Sequence, residues 1–279
     1  MRVVEYDASR RADVADLMGL VWGQRPDEEA LAWFYEQNPV RPASVLLAEE
    51  DGRVVATVAI SFVRMSIGGG ELEVGMPLRV ATDPAYRGRG IFAELQARNE
   101  ERVRDLGVRL LLTVPNAAST PVFVSKLGWQ ELPPLRVWAR VKLGRGRLRG
   151  RRVERFGSEP RSRPVTGDRV LRDAAWLNWR FADSPTPYTL VEGDGYAVTG
   201  RRGRLGVVSI VEGALLRDAG RAAGGPVLIA APPPDERRRY LAAGYLPTSR
   251  TLTVLGKPLE ASLTVPAHPH FELGDLDFL

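Results

Sequence analysis

Apolar positions in the first half of the chain switch period repeatedly. Runs and alternations of strand type give way to three- and four-residue spacings of helix type, and then return. "VVEY" over 3–6 reads as a short strand. "ADVADLMGLVW" carries Val14, Leu17, Leu20 and Val21 at helical spacing, and "DEEALAWFYEQNP" is a second helix with Asp27 at its start and Pro39 beyond its end. "SVLLAEEDGRVVATVAISFV" is a hairpin turning at Asp51-Gly52, and "ELEVGMPLRVATDP" is a strand ended by Pro84. "GIFAELQARNEERVRDLG" is an amphipathic helix, with Ile91, Leu95, Val103 and Leu106 inward and Gly107 closing it. A buried strand "VRLLLTV", a short helix "STPVFVSKLGW" with proline in its first turn, and a last strand "LRVWARVKL" follow. Strands alternating with helices make this an α/β chain.

The pattern lapses over 144–168, "GRGRLRGRRVERFGSEPRSRPVTGD", which is rich in Gly, Arg and Pro and reads as a solvated linker. A nucleic-acid patch would need interleaved aromatics or a reading helix, and Phe156 is the one aromatic there. Beyond it the chain repeats itself. "DAAWLNWRFADSP" over 173–185 matches "DEEALAWFYEQNP" over 27–39 in length, with Trp179 in register with Trp33 and Phe181 with Tyr35. An acidic-glycine turn follows each, Asp51-Gly52 in one and Asp194-Gly195 in the other. Later, "PVLIAAPPPDERRRYLAAGYLPT" resembles "RLLLTVPNAASTPVFVSKLGWQELP" in its strand, proline turn, helix and Gly-aromatic exit. The expected organisation is therefore a first domain over 1–143, a linker over 144–168 and a second copy over 169–279.

Composition adds exclusions. Of the 279 residues 44% are hydrophobic and 26% charged, the proportions of a globular protein able to bury a core without staples. With no cysteine, disulfides, thiolate metal sites and cysteine nucleophiles are out, which fits a reducing cytoplasm. The N-terminus has no basic stretch ahead of an apolar run, and no apolar run approaches the ~20 residues of a membrane span. A cytoplasmic protein with no membrane partner is expected. The net charge of +5 fits either an ordinary basic protein or one with an anionic partner. Three lysines against 36 arginines follow a GC-rich genome as readily as a function, so nucleic acid is not the expected partner.

One stretch points to an anion more directly. In "DPAYRGRGIFAEL" two glycines, Gly88 and Gly90, stand between Arg87 and Arg89 and open a helix straight after a strand. Glycines let the backbone curl so that several N–H groups face one centre, and a helix N-terminus adds unpaired N–H groups and partial positive charge. Phosphate or pyrophosphate is the natural guest. The second copy has "VEGALLRDAGRAAGG" in that place, without the turn.

The stretch "VATDPAYRGRGIFAEL" resembles motif A of the GNAT acyltransferases, Arg/Gln-x-x-Gly-x-Gly/Ala, with Arg87 first, Gly90 fourth and Phe92 at the sixth position where the family prefers Gly or Ala. "PNAASTPVFVSKLGW" resembles motif B. The tandem layout is similar to bacterial two-domain GNAT proteins with a degenerate second half. The resemblance implies tandem GNAT-like folds, each a mixed central sheet flanked by helices. It implies acetyl-coenzyme A as cosubstrate, its pyrophosphate held by the backbone of Gly88, Arg89, Gly90, Ile91 and Phe92 with Arg87 at the rim. Its pantetheine arm would pair with the strand at Leu78, Val80 and Ala81, where the Val80 N–H would meet the oxyanion. Asn116 would bond the arm or form a turn.

The implied chemistry is acetyl transfer to an amine, from a small molecule or sugar, directly within a ternary complex. Glu71 and Glu73 are candidate bases or plain strand carboxylates. The family's tyrosine acid falls at Val124, leaving Ser119 and Thr120 as hydroxyls that serve either as donors or as helix caps. Tyr240 in the second copy reads as packing, and His268 and His270 form no metal constellation. Transfer of a longer acyl or aminoacyl group, with Phe92 altering the pocket, and a non-catalytic acyl-coenzyme A sensor stand as alternatives.

Overall fold

In a computed structural model of the chain, which describes residues 1–142, 148–157 and 167–276, these signals become thirteen strands and seven α-helices. The first half runs β1 (Arg2–Glu5), α1 (Arg11–Trp22), α2 (Glu28–Glu36), β2 (Ser44–Glu50), β3 (Arg53–Ile67), β4 (Gly70–Thr82), α3 (Ile91–Asp105), β5 (Leu110–Thr113), α4 (Thr120–Leu127) and β6 (Gln130–Val141). The second runs β7 (Arg151–Val153), β8 (Arg169–Val170), α5 (Ala174–Leu177) with a π turn over Asn178–Ala182, β9 (Thr189–Gly193), β10 (Gly195–Arg202), β11 (Leu205–Gly213), α6 (Leu216–Ala222), β12 (Val227–Ala230), α7 (Arg237–Ala242) and β13 (Leu246–Pro258).

The chain forms two compact units that cut across the contiguous spans 1–143 and 169–279. The first comprises Met1–Arg64, Leu72–Leu132 and Val254–Val265; the second comprises Met65–Glu71, Pro133–Thr253 and Pro266–Leu279. Sequence spacing reads contiguous blocks, whereas a sheet is completed by whichever strand reaches its edge.

In the first unit the strand order is β1-β2-β3-β4-β5, with the last residues of β13 beyond β5. The β2–β3 hairpin is antiparallel, β4 and β5 are parallel, and Leu255 to Pro258 of β13 run antiparallel to Thr113 to Leu110 of β5. Helix α3 packs Ile91 and Leu95 onto Leu46, Ala48 and Val58 of the hairpin, and Val103 onto Phe123 and Trp129. Its buried face also carries polar residues. Ser44 Oγ donates to Asn99 Oδ1 (2.6 Å) while Asn99 Nδ2 donates to Ser44 O (2.9 Å). Glu100 accepts from Trp129 Nε1 (2.9 Å) and Lys257 Nζ (2.5 Å). These satisfied groups fix the position of the helix. Leu106, expected inward, is 49% exposed because the helix ends at Asp105 and the chain turns outward. Asp27 precedes α2 but its side chain makes no capping bond.

The second unit repeats the plan. β9–β10 is an antiparallel hairpin, β10–β11 is antiparallel, and β11–β12 is parallel, with β6 antiparallel to β12 and β7 beside β9. The aromatic helix of the repeat is real: Trp176 meets Trp179 and Phe181 edge-on, and all three are buried. Part of the expected linker is not solvated. Arg151–Val153 form β7, and Phe156 is buried edge-on against Tyr196, with its N–H donating to Asn178 Oδ1 (2.8 Å). One aromatic in a polar run found a core, which composition does not reveal. Residues 143–147 and 158–166 of that stretch lie outside the described residues.

Beneath this sheet sits a buried charge cluster. Arg172 donates to Asp275 Oδ1 (Nε, 2.9 Å), to Asp275 Oδ2 (Nη2, 2.5 Å) and to Glu272 Oε2 (Nη1, 2.8 Å), and lies 3.4 Å from Glu212. Burial among these carboxylates pushes Glu272 up to about 8 despite Arg172, while burial beside Arg172 and Arg169 holds His270 down to about 3.

Candidate active site

β4 and β5 pair only at Val74↔Leu110 and Gly75↔Leu111, after which Pro77, lacking an N–H, accepts at its carbonyl from Thr113 Oγ1 (2.9 Å). From there β4 parts from β5 while keeping to β3, since Asp83 N donates to Val55 O (2.9 Å). N–H groups alternate between the edges of a strand, so the N–H of Val80 points to the edge that β5 leaves. Leu78 and Val80 are half-buried and Ala81 is buried. Val80 packs toward the cluster containing Ile91 and Leu95 of α3.

Four residues after Asp83 comes the glycine turn. Gly88 and Gly90 both sit at φ +79°, the left-handed region glycine reaches without strain. A Cβ on either would meet nothing within 4 Å, so the concave side is open. Gly90 is the N-cap of the 15-residue α3, with no side chain capping the helix; Glu94 N donates to Gly90 O as the first helical bond, and the N–H groups of the turn before it have no acceptor within the helix. Arg87 and Arg89 are exposed at the rim. Arg87 Nε donates to Thr82 O (3.2 Å), and Arg89 lies 4.7 Å over the Tyr86 ring and 3.9 Å from Glu50. Phe92 does not enter the turn: its ring meets Phe123 edge-on at 5.3 Å on the core side. Open glycines, an uncapped helix and two arginines suit a diphosphate.

The family model for the acetyltransferase (GNAT) domain matches residues 2–132. Residues 2–132 are a GNAT acetyltransferase domain. In fold, the chain as a whole is similar to several solved structures. It is similar to a GCN5-related N-acetyltransferase from Kribbella flavida (17% identity, TM-score 0.66, covering 93% of this chain and 71% of that one). It is also similar to one from Anabaena variabilis ATCC 29413 (11%, 0.63, 93% and 73%). A tandem GNAT protein from the clavulanic acid biosynthesis pathway aligns over 94% of this chain and 99% of its own, at 12% identity and TM-score 0.57. No curated protein matches this chain in sequence.

The remaining expected residues of the GNAT domain are spread along β4 and α4. Glu73 is 27% exposed and paired with Arg41 Nε at 2.9 Å, a partner that sequence spacing did not indicate. A strand rise of ~3.3 Å per residue puts it about 16 Å along β4 from Leu78. Glu71 is exposed at the start of β4, two residues before Glu73 on the same strand. Asn116 follows β5 and caps the approach to α4: its Oδ1 accepts from Ala118 N and Ser119 N, each at 3.0 Å. Ser119 Oγ donates to Asn116 O (3.3 Å) or Oδ1 (3.2 Å), and Thr120 Oγ1 donates to Asn116 O (2.8 Å). Val124 packs on the Phe123–Trp129 cluster. In the second unit Tyr240 is buried against Tyr245, and burial holds its hydroxyl well above the ordinary range. His268 is exposed and His270 buried, and among the described residues no three acidic or histidine side chains gather as a metal site. No helix of the described residues is long and apolar enough to cross a membrane.

Arg79 was missed altogether. It stands inside β4 with φ +51°, half-buried, its guanidinium 4.4 Å over the Phe34 ring of α2. Its residue type carries no signal; the signal is a backbone angle.

Proposed function

We propose that the GNAT domain binds acetyl-coenzyme A and transfers its acetyl group to an amine within a ternary complex. The observation that carries this reading is the open Gly88–Gly90 turn at the mouth of uncapped α3, beside the edge of β4 that β5 leaves free. Backbone N–H groups from Gly88 to Phe92 would hold the pyrophosphate, and the β4 edge at Leu78, Val80 and Ala81 would take the pantetheine arm. Acetyl-coenzyme A, when bound, supplies the acyl group as a thioester. The amine nitrogen then bonds the acyl carbon and the carbon–sulfur bond breaks. Val80 N–H donates to the oxyanion, and sulfur leaves as a thiolate that takes a proton from solvent. The amine's proton passes to solvent water, because Glu73, about 16 Å along the strand from Leu78 and paired with Arg41, stands out of reach of the amine even through one water.

Longer acyl groups rested on Phe92 altering the pocket. With that ring turned onto Phe123, acetyl is the simpler donor group. A second reading, a non-catalytic acyl-coenzyme A sensor, is favoured by Val124 standing where GNAT enzymes place a tyrosine acid. Calorimetry with acetyl-coenzyme A, followed by mass spectrometry of an amine panel, tests both. Binding with an acetylated product supports the enzyme; binding with no product from any amine supports the sensor; no binding removes both.

A further inference from the structure

The edge of β11 corresponds to the edge of β4. Each strand pairs in parallel with its neighbour over a few residues only, Val74↔Leu110 and Gly75↔Leu111 in the first copy, Leu205↔Val227 to Val207↔Ile229 in the second. Setting Val74 against Leu205 and Gly75 against Gly206 puts Leu78 level with Ser209 and Val80 level with Val211. In the second copy this edge is occupied by the chain itself. Gly274 N donates to Ser209 O (2.9 Å), and Val211 N donates to Glu272 Oε1 (3.1 Å). A carboxyl oxygen therefore sits on the N–H that corresponds to that of Val80, and a backbone amide sits on the carbonyl that corresponds to that of Leu78. The approach is close. A Cβ on Gly274 would lie 2.9 Å from Ile210 Cγ1 and 3.0 Å from both Ser209 Cβ and Phe181 Cζ, so a side chain there would force β11 or Phe181 to shift. Phe271, Leu273 and Leu276 are buried, and Arg172 donates to both Glu272 and Asp275. Asp275 N closes a turn onto Glu272 O (3.0 Å), so the segment is a folded wedge rather than an added strand.

We propose that the second copy keeps a groove for an acyl-pantetheine arm, and that the segment Phe271–Leu276 is its built-in occupant, a tethered competitor that holds the groove shut. This rests on the reading of the first copy's β4 edge and extends it to the second copy. The segment and an acyl-pantetheine arm offer the strand edge the same two groups, an amide N–H for the carbonyl of Ser209 and an oxygen for the N–H of Val211. The turn into α6 has no room for an anion, since a Cβ on Gly213 would lie 2.2 Å from Asp194 O, so the groove takes the arm without gain from a nucleotide diphosphate. While tethered, the segment competes at an effective concentration on the order of millimolar, which a dilute arm does not overcome.

The test uses the full chain with a protease site placed between the exposed Ala267 and His268 and cut after folding, which removes the tether. Gel filtration with mass spectrometry follows the piece from His268 onward, and circular dichroism follows the fold. Acetyl-pantetheine at about 10 mM should strip the piece from the cut chain, and coenzyme A should do so within about threefold of the same concentration. The emptied groove should bind acetyl-pantetheine, and the synthetic piece should compete with it. Gly274→Phe should lower retention of the piece by about tenfold or more. A piece that stays in place while acetyl-pantetheine binds elsewhere, or an emptied groove that takes no acetyl-pantetheine, would overturn the proposal. So would a fold that collapses when the piece departs, since the segment is then core and not an occupant. The cut chain carries the natural residues of the groove, so the result does not depend on whether Gly274→Phe folds. Coenzyme A binding by the uncut chain reads the first copy and displacement of the piece reads the second, which tells the two failures apart.

Discussion

The turn into α3 and the turn into α6 occupy the same place in two copies of one plan, and they differ in the space that an anion would need. Ahead of α3, Gly88 and Gly90 curl around open space. Ahead of α6, Gly213 is also left-handed, but a Cβ there would lie 2.2 Å from Asp194 O, so the concavity is filled by backbone. The α3 helix has 15 residues and α6 has 7. In the first turn of α6, Asp218 is buried with its carboxylate accepting from Arg149 N and Gly150 N, each at 3.1 Å. The second copy's first-turn acid is thus taken up by the backbone ahead of β7, and neither helix start has a side-chain cap; what separates the copies is the open glycine turn against the filled one, and the length of the helix behind it. A repeat can keep a fold and lose a site through a few residues. The largest expected effect follows: Gly90→Val, a β-branched residue at φ +79°, should lower coenzyme A affinity at least about a hundredfold. No clash awaits the new Cβ, so the fold should survive with a modest fall in Tm. Retained affinity by calorimetry would remove the cradle assignment.

The comparison is sharpened by moving the second copy's acid into the first. Ala93 is the third residue of α3, as Asp218 is of α6. Ala93→Asp should weaken coenzyme A binding about ten- to fiftyfold, because a carboxylate competes with the diphosphate for the same N–H groups and field. An unpaired first-turn acid itself favours a helix by about 0.3–1 kcal/mol, against a packing cost since Ala93 touches the Phe123 cluster. Thermal melting beside calorimetry separates the two. Weakened binding at full stability is the expected result, and unchanged binding would mean that the helix start does not face the ligand.

Much of this was legible beforehand, for reasons that also explain the rest. Helix α3, the β2–β3 hairpin and the repeat were readable because periodicity and turn chemistry are local. The Gly–Arg turn was readable because only glycine adopts such angles freely. The exchange of Val254–Val265 into the first unit was not, since nothing near Lys257 indicates that its ammonium will meet Glu100, 157 residues away. Phe156 was hidden in a polar run and Leu106 lay beyond the end of a helix it fits by period. Arg79 was invisible because tertiary packing, not residue type, sets its backbone angle.

The second unit invites a different break, by pH. His270, held down to about 3 by burial, is neutral in the folded protein, while the unfolded chain protonates it below about 6.5. Stability therefore falls as pH drops from about 6.5 toward 3. Glu272 has the opposite sign. Raised to about 8 by burial beside Asp275 and Glu212, it keeps its proton in the folded protein after the unfolded chain has released it near 4.5, so stability falls as pH rises from about 4.5 to 8. The two oppose each other between about 4.5 and 6.5, and only the loss from Glu272 remains from about 6.5 to 8, on the order of 2 kcal/mol. Glu272→Gln, neutral at every pH, should flatten that limb in denaturant titrations. Coenzyme A affinity should not follow the same profile, since the cluster belongs to the unit with the closed turn. A decline of unchanged slope in the variant would place the alkaline loss elsewhere.

The smallest effect is expected where the first copy lacks its acid. Ser119 Oγ donates only to Asn116, within 3.2–3.3 Å, and Asn116 Oδ1 already receives two backbone N–H groups. The hydroxyl is thus one bond in a helix start that Thr120 Oγ1 also ties down. Removing it costs a local turn bond, on the order of 0.5–1 kcal/mol of stability. For kcat the argument is chemical. A coenzyme A thiolate leaves without protonation far more readily than an alkoxide, so a GNAT domain with Val124 in place of a tyrosine can turn over without a donor. Ser119→Ala should then lower kcat less than about tenfold, under ~1.4 kcal/mol, with no loss of an alkaline limb in the pH–rate profile. Glu73→Gln, at a position about 16 Å along β4 from Leu78 and paired with Arg41, should likewise leave the acid limb of the pH–rate profile in place. A thousandfold collapse in Ser119→Ala with Tm preserved would make that serine the acid, and Asn116 the group that orients it.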